Sequence, residues 1–154
     1  MTVVISRSLR LSLGDVPALE LAQNFYDYKV SGVTSFGATF GRDKQFVAPV
    51  EARARQLWHV HLEDDACSSA WDWISENFFA KGFSQDNFTS DTILVYGYAP
   101  TAPKSPFLLM NILAPDGHIL MNNNEGMRAI CFAYDKELMD YRHQMPSSDW
   151  IIVQ

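Results

Sequence analysis

Along the first thirteen residues apolar and polar positions alternate, and this pattern predicts a strand over residues 2–13. Asp15 and Pro17 then mark a helix start, since an acid favours the positive end of a helix and proline is tolerated in its first turn. Leu19, Ala22, Phe25 and Tyr26 recur at helical spacing, and Gly32 supplies a stop. Residues 31–48 are rich in Gly, Ser and Thr and read as a loop, followed by a short helix over 49–55. Residues 56–63 alternate as a strand, with Leu57, His59, His61 and Glu63 on one side and Trp58, Val60 and Leu62 on the other.

Residues 64–90 form an excursion, with a helix around Trp71, Trp73, Ile74, Phe78 and Phe79 that Gly82 ends. Residues 92–98 and 107–113 are two further strands, and the APTAPKSP between them is too rich in proline for a tight hairpin turn. Residues 124–140 predict a helix that buries Met127, Ala129, Ile130, Ala133 and Met139, and the closing DWIIVQ suits an edge strand. The order is β-α-(α)-β-(α)-β-β-α with a final β. It predicts one α+β domain over 1–154, with an antiparallel sheet packed against helices and an insertion at about 64–90.

Composition narrows the class. The chain has 154 residues, a net charge of −6 and no apolar run near the roughly 20 residues that span a bilayer. The alternating N-terminus lacks the apolar block of a secretory signal, so the sequence predicts a cytoplasmic protein with no membrane partner. Cys67 and Cys131 have no metal-ligand spacing and read as free thiols, Cys131 in a helix core. The acidic balance argues against a general nucleic-acid binder. The charge is uneven, however. Residues 29–55 carry five cations against two acids, and residues 63–76 carry five acids and no cation. That is either ordinary surface charge or a basic working face beside an acidic segment that docks elsewhere.

The candidate chemistry gathers in the basic stretch. His59 and His61 lie two apart and share one face of a strand, which suits an acid/base pair, two metal ligands, or two histidines on a wet sheet face. Arg42-Asp43-Lys44 reads as a turn able to bind phosphate, with Asp43 orienting Arg42. His118 sits in a Pro-Asp-Gly-His turn from which it can reach a sheet face, and Arg128 in the last helix can point back over the sheet.

These segments together resemble the YafO-type toxins of bacterial toxin–antitoxin pairs. The shared pattern is FYDYKVSG (25–32), FGRDKQFVAP (40–49), HVHLE (59–63), SDTILVYGY (90–98), FLLMNILAPDGH (107–118) and NNEGMRAI (123–130), most of the chain, with FGRD and HxHL its specific parts. The resemblance implies a RelE-like fold and an mRNA interferase that acts at the ribosome, held inactive by a cognate antitoxin. The acidic, Trp-containing segment at 63–80 and the tail after 140 extend beyond the typical pattern.

Metal-free RNA cleavage uses the RNA 2′-OH as nucleophile and needs a base, an acid and cations for the developing charge. His59 and His61 are the expected base and acid, Glu63 the substitute base or orienting group, and His118 the reserve acid. Arg42, Lys44 and Arg128 are expected to hold phosphate, and no cofactor is required. Two other classes compete. His59, His61 and Asp65, with Pro115, Gly117, His118 and Asn122, faintly match the two histidine motifs of cupin-like metal proteins, although the second motif is misspaced. A non-enzymatic module that inhibits by docking on another protein is the third reading.

Overall fold

The computed structural model describes residues 1–31, 37–98, 105–143 and 147–154. Among these residues six strands form one open sheet: β1 (Val3–Ile5), β2 (Phe40–Gln45), β3 (Leu57–Leu62), β4 (Ile93–Tyr98), β5 (Phe107–Leu113) and β6 (Ile151–Val153). Their order across the sheet is β2-β3-β4-β5-β1-β6. Among the described residues seven helices connect or cover them: α1 (Arg7–Leu13), α2 (Asp15–Ser31), α3 (Val50–Ala54), α4 (Ser68–Glu76), α5 (Phe78–Lys81), α6 (Gly117–Met121) and α7 (Asn124–Arg142). The α+β class is as expected, but the sheet is mixed. β1 runs parallel to β5, while the other neighbouring strands are antiparallel. No short turn joins β1 to β5, so no hairpin dictates their direction. A single open sheet with helices on both faces also excludes the closed or double-sheet architecture that a cupin-like fold needs.

The two faces bury separate cores. On one, α2 sets Ala18, Ala22, Phe25 and Tyr28 against Val3, Ile5, Phe40, Val60, Leu62, Leu94 and Tyr96. The Phe25 ring meets Tyr96 edge-on at 4.9 Å and Phe40 at 5.7 Å, the geometry that aromatic quadrupoles favour. On the other face, α7 sets Met127, Ile130, Cys131 and Tyr134 against Val4, Leu57, Val95, Leu108 and Met110, with Ala52 of α3 beside them. Gly97 makes this contact possible, because a Cβ there would come within 2.2 Å of Tyr134. The helices are rotated from their expected phases. Ala129, Ala133 and Met139 face outward on α7, where Cys131, Tyr134 and Glu137 complete the inward stripe. On α2, Leu19 is exposed and Tyr28 takes an inward place.

Three boundaries differ from the alternation pattern. The first strand stops at Ile5 because Ser6 caps a helix. Its Oγ accepts from Leu9 N at 3.2 Å and donates to the Met110 carbonyl at 2.9 Å. The loop expected over 31–48 contains β2, so Arg42-Asp43-Lys44 is strand and not turn. The Pro-Asp-Gly-His turn opens directly into α6. The expected stop at Gly32 and most of the proline-rich 99–106 segment lie outside the described residues.

The 64–90 excursion folds as α4, α5 and a 3-10 turn over Gln85–Asn87, and Gly82 ends α5 in the left-handed region at φ 66°. It lies along the outer side of β2. Arg42 N donates to the Phe88 carbonyl at 2.8 Å, Gln85 Nε2 to the Gly41 carbonyl at 2.7 Å, and Lys44 pairs with Asp86 at 2.9 Å. Trp71 is buried beneath it, and its indole N–H donates to the Thr89 carbonyl. A Cβ at Gly41 would lie 2.2 Å from the Phe88 carbonyl oxygen and 2.7 Å from Trp71, so only glycine fits where the excursion meets the strand.

Candidate active site

β3 forms where the sequence alternates, and its centre has β2 on one side and β4 on the other. Val60 and Leu62 go to the α2 core, while Leu57 goes to the α7 core. His59 and His61 share the face of Leu57, with ring centroids 6.1 Å apart. A third imidazole extends the row, since the His118 ring lies 5.2 Å from that of His61. Phe46, 4.8 Å from His59, closes the other end.

His118 reaches this position because α6 begins against β4. Gly117 N donates to the Asp91 carbonyl at 2.9 Å, and a Cβ on Gly117 would lie 2.6 Å from that oxygen and 2.8 Å from Ile93 Cγ1. Ile93 is the strand partner of His61. The Asp91 carboxylate Oδ1 then accepts from His118 N at 2.9 Å and contacts its Nδ1 at 2.8 Å. Asp91 is the site residue that sequence reasoning missed. Its only sequence signal is an acid just before an apolar strand, in SDTILVYGY.

Burial sets the electrostatics. His61 is 2% exposed and accepts from Ser90 N at its Nδ1, at 2.8 Å. His59 is partly buried, and among the described residues its Nδ1 has no hydrogen-bond partner. Burial pushes both imidazoles down to about 4, with His61 and Arg42 adding to the effect on His59, and His118 and Arg42 to that on His61. Both are therefore neutral at neutral pH. Asp91 is held below the usual carboxylate range by the N–H and ring nitrogen of His118. Of the three readings of His59 and His61, the wet sheet face gives way to a partly enclosed row, with His118 its open end at 49% side-chain exposure.

The remaining candidates divide. Arg42 is exposed near the imidazoles, and among the described residues no carboxylate pairs with it. Lys44 is the strand partner of His59 and is held by Asp86. Asp43 does not orient Arg42. Its carboxylate lies on the α2 side, where it accepts from Tyr28 OH at 2.9 Å, Lys29 Nζ at 2.6 Å and Tyr96 OH at 2.8 Å. Alternation along a strand sends neighbours to opposite faces, which a turn would not have required. Glu63 accepts from Ser68 Oγ at 2.9 Å and lines a surface pocket with Asp64 and Asp65, so its bond is to α4 and not to an imidazole. Arg128 does not reach back over the sheet, because Glu51 of α3 holds it at 2.9 Å. Among the described residues no three His, Cys, Asp or Glu side chains converge as metal ligands.

A family model described as "Toxin YafO, type II toxin-antitoxin system" matches residues 26–134. The chain belongs to the YafO toxin family. The YafO match spans the whole imidazole row, Arg42 and Asp91, and leaves β1, α1 and β6 outside it. Comparison with curated proteins and with solved structures gives no match. Membership of a YafO family implies an antitoxin as partner. Among the described residues no helix is long and apolar enough to cross a membrane.

Proposed function

We propose that this toxin stops translation in the cytoplasm by cleaving mRNA at the ribosome, as a metal-independent endoribonuclease of RelE-like type, and that its antitoxin covers the imidazole face. The observation that carries the reading is the row His59–His61–His118 with Arg42 beside it, which no carboxylate among the described residues holds. The open imidazole of the row, His118, is the group placed for proton transfer, and a guanidinium that no carboxylate among the described residues holds is available to a phosphate. Lys44 adds a second cation once it leaves Asp86, a surface pair that costs about 1 kcal/mol or less to break. Docking on the ribosome supplies the mRNA geometry, so a protein of net charge −6 needs no broad basic surface of its own.

The test is expression without a partner, followed by primer extension on translating ribosomes with the purified chain. The expected result is growth arrest and discrete mRNA breaks that persist with a chelator that strips transition metals and leaves the ribosome its Mg2+. Growth arrest with intact mRNA would replace the enzyme with an inhibitor that acts by docking. Unaffected growth at confirmed folded expression would remove both readings.

A further inference from the structure

The dipeptide Ser90–Asp91 touches two neighbouring imidazoles through their Nδ1 atoms, once as donor and once as acceptor. Ser90 contributes a backbone N–H, which can only donate, so His61 Nδ1 carries the lone pair and its proton sits on Nε2. Asp91 contributes a carboxylate, and an ionised carboxylate can only accept, so His118 Nδ1 carries a proton and, in the neutral ring, Nε2 carries the lone pair. The carboxylate is fixed by a second bond to the same oxygen, from His118 N, and α6 is seated by the bond from Gly117 N to the Asp91 carbonyl. The two rings are 5.2 Å apart, yet opposite tautomers are imposed on them.

Access separates their roles further. His61 is 2% exposed, whereas half of the His118 side chain is open. We propose that Asp91 is a positioning residue that presents His118 Nε2 as the general base for the RNA 2′-OH, with His61 as the buried ring against which His118 rests. The proposal rests on the endonuclease reading above. His118 Nε2 takes the 2′-OH proton, and the 2′-oxygen forms a bond to the adjacent phosphorus. The P–O5′ bond breaks, the 5′-oxygen leaves with that electron pair and takes a proton from water, and the hydroxide left behind takes the proton from His118 Nε2, which restores the base. The products are a 2′,3′-cyclic phosphate and a 5′-hydroxyl end. Asp91 stays ionised and balances the charge that the ring gains.

Two measurements on the full chain test it. In the free protein, long-range 1H–15N correlation of the ring nitrogens near pH 8 should show His118 protonated at Nδ1 and His61 at Nε2. In the ribosome assay, Asp91→Asn keeps an acceptor of the same shape and removes the charge. It should lower kcat at least tenfold with little change in KM and should alter the pH–rate profile. Asp91→Glu should recover part of the rate, and His118→Ala should lose at least a hundredfold. His118 protonated at Nε2 in the wild type would overturn the proposal without touching the endonuclease reading. So would an Asp91→Asn enzyme of full rate and unchanged pH profile beside an inactive His118→Ala. Intact mRNA in the wild-type reaction would overturn the underlying reading instead, while the tautomer spectrum would still stand as measured.

Discussion

The Lys29 ammonium lies 2.6 Å from the Asp43 carboxylate, and the rings of Phe25, Tyr28, Tyr96 and Phe107 stand within 5.8 Å of it. The pair ties α2 to β2, and the Tyr28 and Tyr96 hydroxyls donate to the same carboxylate. Burial, followed by the Asp43 charge, raises both phenols above their ordinary range, so they remain donors at any physiological pH. Removing one partner leaves the other charge uncompensated. Asp43→Ala should therefore cost about 3–5 kcal/mol, read from urea unfolding, and Lys29→Met should cost a similar amount. A double variant Lys29→Met, Asp43→Leu should recover part of that loss. An unchanged unfolding midpoint in Asp43→Ala would show that the network contributes nothing.

Acid should weaken the fold through the imidazole row. His59 and His61 hold folded-state values near 4 against an ordinary 6.5, so between those limits the unfolded chain binds protons that the folded chain does not. Stability then rises with pH across this window. It is complete above about pH 6.5 and falls as the pH drops towards 4, by several kcal/mol for the two groups together. Unfolding midpoints from pH 7 to 4 should fall, and His61→Gln should flatten the curve. An equally steep curve in that variant would place the acid sensitivity elsewhere.

Gly117→Ala should act on the site more than on the fold. The added methyl meets the Asp91 carbonyl and Ile93, so α6 must move and carry His118 away from Asp91 and His61. mRNA cleavage should fall tenfold or more, while the far-ultraviolet circular dichroism should stay near that of the wild type. Wild-type cleavage would mean that α6 adjusts without displacing the ring.

Arginine substitutions should separate the two guanidiniums. Arg42→Ala removes an exposed cation beside the imidazoles and should lower cleavage by about 10²–10³, the range for losing one stabiliser of transition-state charge. Arg128→Ala loses its pair with Glu51 and should leave cleavage within about twofold and stability within about 1 kcal/mol. Equal losses in both variants would return Arg128 to the substrate surface.

What the chain reveals before folding depends on how local the cause is. β3 is legible from its alternation, β4, β5 and the final edge strand from their apolar runs, and α7 from its length. β2 was not legible. Its sequence FGRDKQ places Asp43 inward, which makes sense only once Lys29, Tyr28 and Tyr96 arrive from other elements. The alternation runs on through RSLRLSL and so overextends the opening strand, whereas Ser6 caps a helix through Leu9 N and has its hydroxyl held by the distant Met110 carbonyl. His59 and His61 were legible as a pair, but their enclosure was not, and His118 was legible only as a reserve. Asp91 stayed hidden because its partner is 27 residues away, across a gap that no motif spans.

The acidic excursion bears on more than charge. By taking up Arg42 N and the Gly41 carbonyl, it occupies backbone groups that the outer strand would otherwise offer to another chain. Unpaired strand edges are templates for unwanted association, and proteins commonly cover them with a loop or helix. The segment that looked like an addition to the toxin is, at this edge, a guard. It denies docking by strand addition on the Arg42 side and leaves the three-residue strand at the C-terminus as the opposite border of the sheet.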